Sequence, residues 1–522
     1  MKSQKRIIAI LFIAVIIGTS CSGTKKQLAL NQIEVPGDIP FDMPVLTLPV
    51  FPDAVFNIVD YGAVSDEQTK NTEAIAHAIA ACADAGGGTV LIPNGKWITG
   101  PIHLKSNINF HLEEGAEILF SQNPEDYLPV VLTRWEGNEC YNYSPLLYAR
   151  DCENIAITGK GILNGQGQSW WHWKHYQDDA AQRLYDSQFN GIPVKDRIFG
   201  TEKDALRPAL LQLFNCSTVL LEDYTSKNSP FWNNQLVYCN NVVVRNIRLI
   251  NPYDAPNGDG LDIDSSKDIY IKGIYADVGD DALVIKSGLN EDGWRVNRPS
   301  ENIVAEDYHI ETGHGGFVIG SEMSGGVKNV LIRNCSFKGT ELGIRIKSKR
   351  GRGSYVKNIW LENIEMEDIH NEAIRINMFY PASSASSRTN AAPDFSNINL
   401  KNINCKGAGT AIFVRGLPEH HAKDIHFENI SITCENGLNI VNLDHSSFKG
   451  LNIIPNNGPA YSIENCIDIE LDNCSSSEKL KAFLSLEGEL TSDIRVLELD
   501  KRKFKTRIEM GENVKPSALI FE

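Results

Sequence analysis

The chain repeats itself, and no other property of it restricts the possible folds as much. Short segments that open with Asn or Asp and then alternate apolar with polar residues begin at Asn154, Asn241, Asp268, Asn302, Asn329, Asn358, Asn397, Asp424 and Asp468. From Asn241 to Asp424 successive starts lie 27, 34, 27, 29, 39 and 27 residues apart. Further β-patterned runs fall between them, such as Ala282 to Lys286, Gly316 to Gly320 and Gly343 to Lys347, with Gly, Asn or Asp at the turns. The crossover helices of βαβ units are missing. Short strands at a fixed period predict an all-β fold, a single-stranded right-handed parallel β-helix. About ten coils of three strands, each advancing about 4.8 Å, give a rod on the order of 50 Å long. The 522 residues therefore read as one solenoid and not as two to four globular domains.

A solenoid must cover the edge of its first coil. Asn71 to Ala85 carries an apolar stripe at Ala74, Ile75, Ala78, Ile79 and Cys82 and ends in Gly86-Gly87-Gly88, which predicts an N-terminal capping helix. Residues 165 to 208, with Trp170, Trp171 and Trp173, interrupt the repeat and read as an elaborated loop. The organisation expected is a signal peptide over 1–20, a tether over 21–52, the β-helix over 53–477, and a C-terminal segment over 478–522 that closes the solenoid. Lys2, Lys5 and Arg6, an apolar run from Ile7 to Ile17 and then Gly18-Thr19-Ser20-Cys21 make an export signal too short to span a bilayer. Its end resembles the lipobox of a bacterial lipoprotein, which makes Cys21 the expected lipid attachment residue and the periplasm or cell surface the expected location; simple secretion is the other reading. The tether is punctuated by Pro36, Pro40, Pro44, Pro49 and Pro52.

The other ten cysteines form no CxxC pair, so zinc-ribbon and thioredoxin-type readings fail. Five follow Asn, at 216, 335, 405, 466 and 474, which fits equivalent buried positions of a repeat better than a disulfide framework. The net charge of −16 argues against a nonspecific nucleic-acid binder, and at first sight against a polyanionic substrate.

Four segments on successive coils concentrate polar residues that a β-helix does not need: Asn257-Gly-Asp259-Gly-Leu-Asp262, Gly279-Asp280-Asp281, Gly313-His314-Gly315 and Arg345-Ile-Lys347. Tyr380 follows on the next coil. Stacking brings such segments into one groove. Arg345 and Lys347, two apart on a strand, point to one face while Ile344 and Ile346 turn inward. Two cations beside three carboxylates suggest a site that holds an anionic group and does acid/base work next to it.

These segments, in this order, resemble the polygalacturonase family of glycoside hydrolases (glycoside hydrolase family 28), the inverting pectin-degrading β-helix enzymes. The resemblance runs from Phe56-Asn-Ile-Val-Asp-Tyr-Gly-Ala63 to Tyr380. It implies hydrolysis of α-1,4-galacturonosidic bonds in pectin. Asp280 becomes the general acid, Asp259 and Asp281 hold and deprotonate the attacking water, and His314 supports the acid's protonation state. Asn257, Arg345, Lys347 and Tyr380 become substrate-binding residues, the two cations for a uronate carboxylate. Inversion implies acid and base about 6.5 to 9.5 Å apart. No metal or other cofactor is implied, since water and carboxylates suffice.

Other roles stay open. The aspartates suit coil corners, or calcium binding as in the β-helical pectate lyases. His314 suits a turn cap, and the cations a charged face continuing through Lys349, Arg350 and Arg352. Tyr380 suits ordinary packing, and the three tryptophans either a sugar platform or loop packing. A rhamnogalacturonan hydrolase, a pectin lyase and a noncatalytic pectin-binding β-helix are the alternative functions; oligomeric state is not legible. Gly258 stands where the family usually has Thr. The polar insertion Ser287 to Ser300 resembles that of exo-acting bacterial members and suggests a groove closed into a pocket.

Overall fold

The computed structural model describes residues 30–521 apart from 381–388, 478–479, 481 and 499–506; the export signal and Cys21 lie outside the described residues. The described chain winds into a right-handed parallel β-helix. Each coil adds one strand to each of several parallel columns. Leu211–Phe214, Asn234–Val237, Leu261–Asp264, Asp281–Lys286, Gly315–Ile319 and Leu342–Lys347 stack in one column. Ser217–Glu222, Asn240–Arg245, Lys267–Lys272, Ser300–Glu306 and Val327–Lys338 stack in the next. Inward positions line up across coils, as in Val219, Val242, Ile269, Ile303, Val330 and Ile359, all fully buried in one continuous core. Period-two alternation in the sequence becomes a column of aliphatic side chains because parallel pairing keeps equivalent residues in register.

The repeat-opening residues explain the corners. Asn154, Asn241, Asp268, Asn302, Asn329, Asn358, Asn397, Asp424 and Asp468 all have φ between 50° and 58°. That left-handed conformation is one that Asn and Asp tolerate better than other side-chain-bearing residues. Their side chains also join coils: Asn358 Nδ2 donates to Asn329 Oδ1 at 3.0 Å, and Asn329 Nδ2 donates to Asn302 Oδ1 at 3.0 Å. Asn334, Asn363, Asn402 and Asn429 form a second ladder of this kind. The ten described cysteines are buried and unpaired with one another, as repeat positions require.

Four sequence expectations need revision. The solenoid exceeds about ten coils, because Gly88–Ile92 and Ile108–Leu112 before the recognised repeats, and Leu484–Glu487 and Ile508–Met510 near the end, also pair in coil fashion. The insertion at 165–208 is largely helical, with Asp178–Phe189 its longest helix. Trp170 and Trp173 pack against each other and against Tyr143 within the core, so these two form no sugar platform. The segment read as a tether is, from Leu30 on, a strap laid against the second column: Val35 and Leu46 are buried on Ala156, Leu220, Val243, Tyr270, Val304 and Leu331. Asn241 and Asn154 fasten it through Thr47 and Val50. The capping helix spans Thr72–Asp84 and buries the predicted stripe. No described helix is long and apolar enough to cross a membrane.

Candidate active site

The first column carries the site. Its inward residues Ile344 and Ile346 are in the core, which turns Arg345 and Lys347 outward as the spacing predicts. Asp259 precedes the Leu261–Asp264 strand, Asp281 begins the next strand, and one carboxylate oxygen from each of Asp259, Asp280 and Asp281 lies within 4.8 Å of the others.

Cations of the chain surround the cluster. Lys347 Nζ is 2.7 Å from Asp281 Oδ2, and Arg345 is 3.6 Å from Asp281 Oδ1. Both come from two coils further along, across the Gly313-His314-Gly315 segment. Gly315 permits the approach, since a Cβ there would stand 3.1 Å from Asp281 Oδ1. Lys286 Nζ lies 3.3 Å from Asp259 and 2.8 Å from Asp262, under the face of Trp232. His314 Nδ1 is 3.1 Å from Asp280 Oδ1, with Glu341 on the other side of the ring at 3.7 Å. Arg345 and Lys347 each sit 5.3 Å from the Tyr380 ring centroid.

The three aspartates do not share one environment. Burial raises Asp259 well above the usual carboxylate range; Lys286 pulls it back, and Asp280, Asp262 and Asp281 push it further up. Burial also pushes Asp281 upward, but Lys347 and then Arg345 overcome it and hold the carboxyl below its ordinary value. The hydrogen bond to Asp280 raises His314. Carboxylates this close titrate as a unit, and within it burial pushes Asp259 up while Lys347 and Arg345 hold Asp281 down. Asp259 Oδ1 and Asp281 Oδ1 are buried and make no hydrogen bond to any described residue.

The cluster lies on the wall of a cavity of about 640 Å³. The helix Asp178–Phe189 lines it through Asp178 and Tyr185, with Gln177 just before the helix. The insertion Ser287 to Ser300 contributes the short helix Asn290–Val296. Asp292 in it pairs with Arg197 at 2.9 Å, and Asn290 accepts a hydrogen bond from Arg352 at 2.6 Å. This insertion is thus fixed in place and lends Leu289 to the cavity lining. Asn257 lines the cavity with its Oδ1 taken by Arg207 at 2.7 Å. Gly258 is explained by crowding, as a Cβ would lie 3.0 Å from the Ala255 carbonyl oxygen and 3.2 Å from Asn251 Nδ2.

Every residue singled out in the sequence within the described chain, from Asn257 to Tyr380, is brought together. Of the later cations, Lys349 and Arg352 line the cavity, whereas Arg350 pairs with Glu419. Sequence reasoning missed Lys286, Trp232, Glu136 and Glu322 and gave Asp262 no role, although all face the cavity or its floor. Asp262 and Lys286 carried a signal, being charged residues at outward positions of strands otherwise rich in Ile, Leu and Val. Glu136 comes from a turn remote in sequence and Glu322 from the loop after Gly315–Ile319, and neither carried one.

The sequence profile of glycosyl hydrolases family 28 matches residues 200–449. A profile for rhamnogalacturonase A/epimerase, pectate lyase-like proteins matches residues 55–113, in the first coils and away from the cluster. A hyperthermoactive exopolygalacturonase from Thermotoga maritima superposes with a TM-score of 0.72 at 38% identity, over 77% of this chain and 93% of that one. An exo-poly-alpha-D-galacturonosidase from Dickeya chrysanthemi is 26% identical over 82% of this chain and 76% of its own. A polygalacturonase from Cryptomeria japonica is 28% identical over 73% of this chain and 68% of its own.

Proposed function

The chain belongs to glycosyl hydrolases family 28, and from that membership we infer how its cavity works. The activity is polygalacturonase-type hydrolysis of pectin. The observation that carries the reading of the site is the cluster of Asp259, Asp280 and Asp281 between Lys286 on one side and Arg345 with Lys347 on the other. Asp280, beside the protonatable His314, donates a proton to the leaving oxygen. Asp281, kept ionised by Lys347, takes a proton from a water held between it and Asp259. Arg345, Lys347 and Tyr380 bind the uronate on the leaving-group side, and Asn257 lines the subsite for the unit that is released.

Exo action is part of the proposal. The cavity wall contributed by Asp178–Phe189, together with Leu289 of the insertion, supports a closed subsite for the non-reducing end, with the rest of the chain running out over the later coils. Long polygalacturonate should then yield only monomer or dimer at early times; an early ladder of oligomers overturns this.

Inversion is supported by the resemblance and by the ion pairs that engage both Asp259 and Asp281. Proton NMR of the first product released checks this: inversion at an α-linkage gives the β-anomer first, and the α-anomer first overturns it. Replacing Asp280 with Asn should lower kcat by about 10² to 10⁴ while calorimetry still registers oligogalacturonide binding; undiminished turnover defeats the role given to it.

We also propose export, with lipid on Cys21. Radiolabelled palmitate should enter the native chain and not the Cys21→Ser variant; equal labelling refutes the anchor.

A further inference from the structure

The pairing register continues the charged rows past the catalytic cavity. Arg345 is followed on the next coil by Arg375 and then Phe413; Lys347 is followed by Asn377 and then Arg415. These positions face outward, because Ile374, Ile376, Ile412 and Val414 between them are in the core. Arg415 stacks over Phe379 at 4.3 Å, next to Tyr380. Arg375 stacks over Phe413 at 5.4 Å with Glu372 at 3.4 Å. Beyond Arg415 the same row reads Val441, Glu464 and Glu487. Cations therefore extend two coils beyond Arg345 and Lys347, and then the sign of the row reverses.

We propose that Arg375 and Arg415 form a binding site for the carboxylate of the second uronate unit on the leaving-group side, and that the acidic positions after them end recognition there. The inference rests on the polygalacturonase reading. One coil advances about 4.8 Å, close to the length of one pyranose unit, so a chain lying along the column meets about one outward row per sugar. Phe379 and Tyr380 give that chain two adjacent ring faces, and the guanidinium groups match a carboxylate in geometry. A polyanion pushed on toward Glu464 meets like charge, which limits the number of units bound.

The test compares kcat/KM for the shortest oligogalacturonide that is cleaved with kcat/KM for the next longer one. In Arg375→Ala and Arg415→Ala the preference for the longer substrate should fall about tenfold, the size of one charge-assisted hydrogen bond. Arg415→Lys should keep most of that preference. Because the ratio is taken within one preparation, a partly unfolded variant does not distort it. A ratio unchanged in both alanine variants overturns the subsite and leaves the polygalacturonase reading intact. A wild-type protein that cleaves no oligogalacturonide overturns both.

Discussion

At the scale of single residues, the site works by giving like groups unlike surroundings. Asp259 and Asp281 are both buried, yet Lys347 at 2.7 Å holds Asp281 below its ordinary value, while burial sends Asp259 far above it. A base with a lowered value stays ionised, and active, until pH falls through that value. Lys347→Met removes the main cation, so Asp281 should rise and the acid limb of the kcat/KM profile should move to higher pH; a limb that stays in place means that another group sets it. The sequence announced these residues through their order along successive coils. It concealed Glu136 and Glu322, because nothing local marks a loop residue that only tertiary structure carries to the cavity.

At the scale of the element, each corner is one left-handed residue, and at Asn302, Asn329 and Asn358 its side chain is bonded to the coils on both sides. Asn329 both donates to Asn302 and accepts from Asn358. Its replacement by Ala should cost about 1 to 2 kcal/mol for the backbone conformation, with about 0.5 to 1.5 kcal/mol more for each lost hydrogen bond. Asn329→Gly should recover the backbone part alone. Thermal unfolding of the pair checks this, and equal losses in Ala and Gly would assign the whole effect to the ladder. These corners were legible because the Asn or Asp before each strand recurs at coil spacing. The helix Asp178–Phe189 was not: its aromatic and charged sequence lacks the wide apolar stripe of the capping helix, and only Ala180, Leu184, Ser187 and Gln188 in it are buried.

At the scale of the whole molecule, net charge and function pull in different directions. The chain carries −16 but gathers Lys286, Arg345, Lys347 and Arg352 at one cavity. Salt screens the general repulsion of a polyanion as well as the local attraction, so activity should pass through a modest optimum in ionic strength; a steep monotonic fall would show that local attraction dominates. The strap matters at this scale too. Its prolines had suggested a spacer, since periodicity is too weak over two-residue strands to reveal a docked segment. Deleting residues 30–51 should uncover the stripe from Ala156 to Leu331, lowering the unfolding temperature and raising binding of a hydrophobic dye; an unchanged temperature would make the strap dispensable. Its seat is also far away along the chain: Arg333 donates to the Pro36 carbonyl across 297 residues, and Phe41 meets the ring of Trp360. During translation the strap is thus made early and its resting place late. At about 5 to 20 residues per second it waits on the order of 15 to 60 s for the last of that surface to appear. Coils that otherwise assemble neighbour by neighbour acquire a late, long-range closure, which makes the strap a clasp fastened after the rod has been wound.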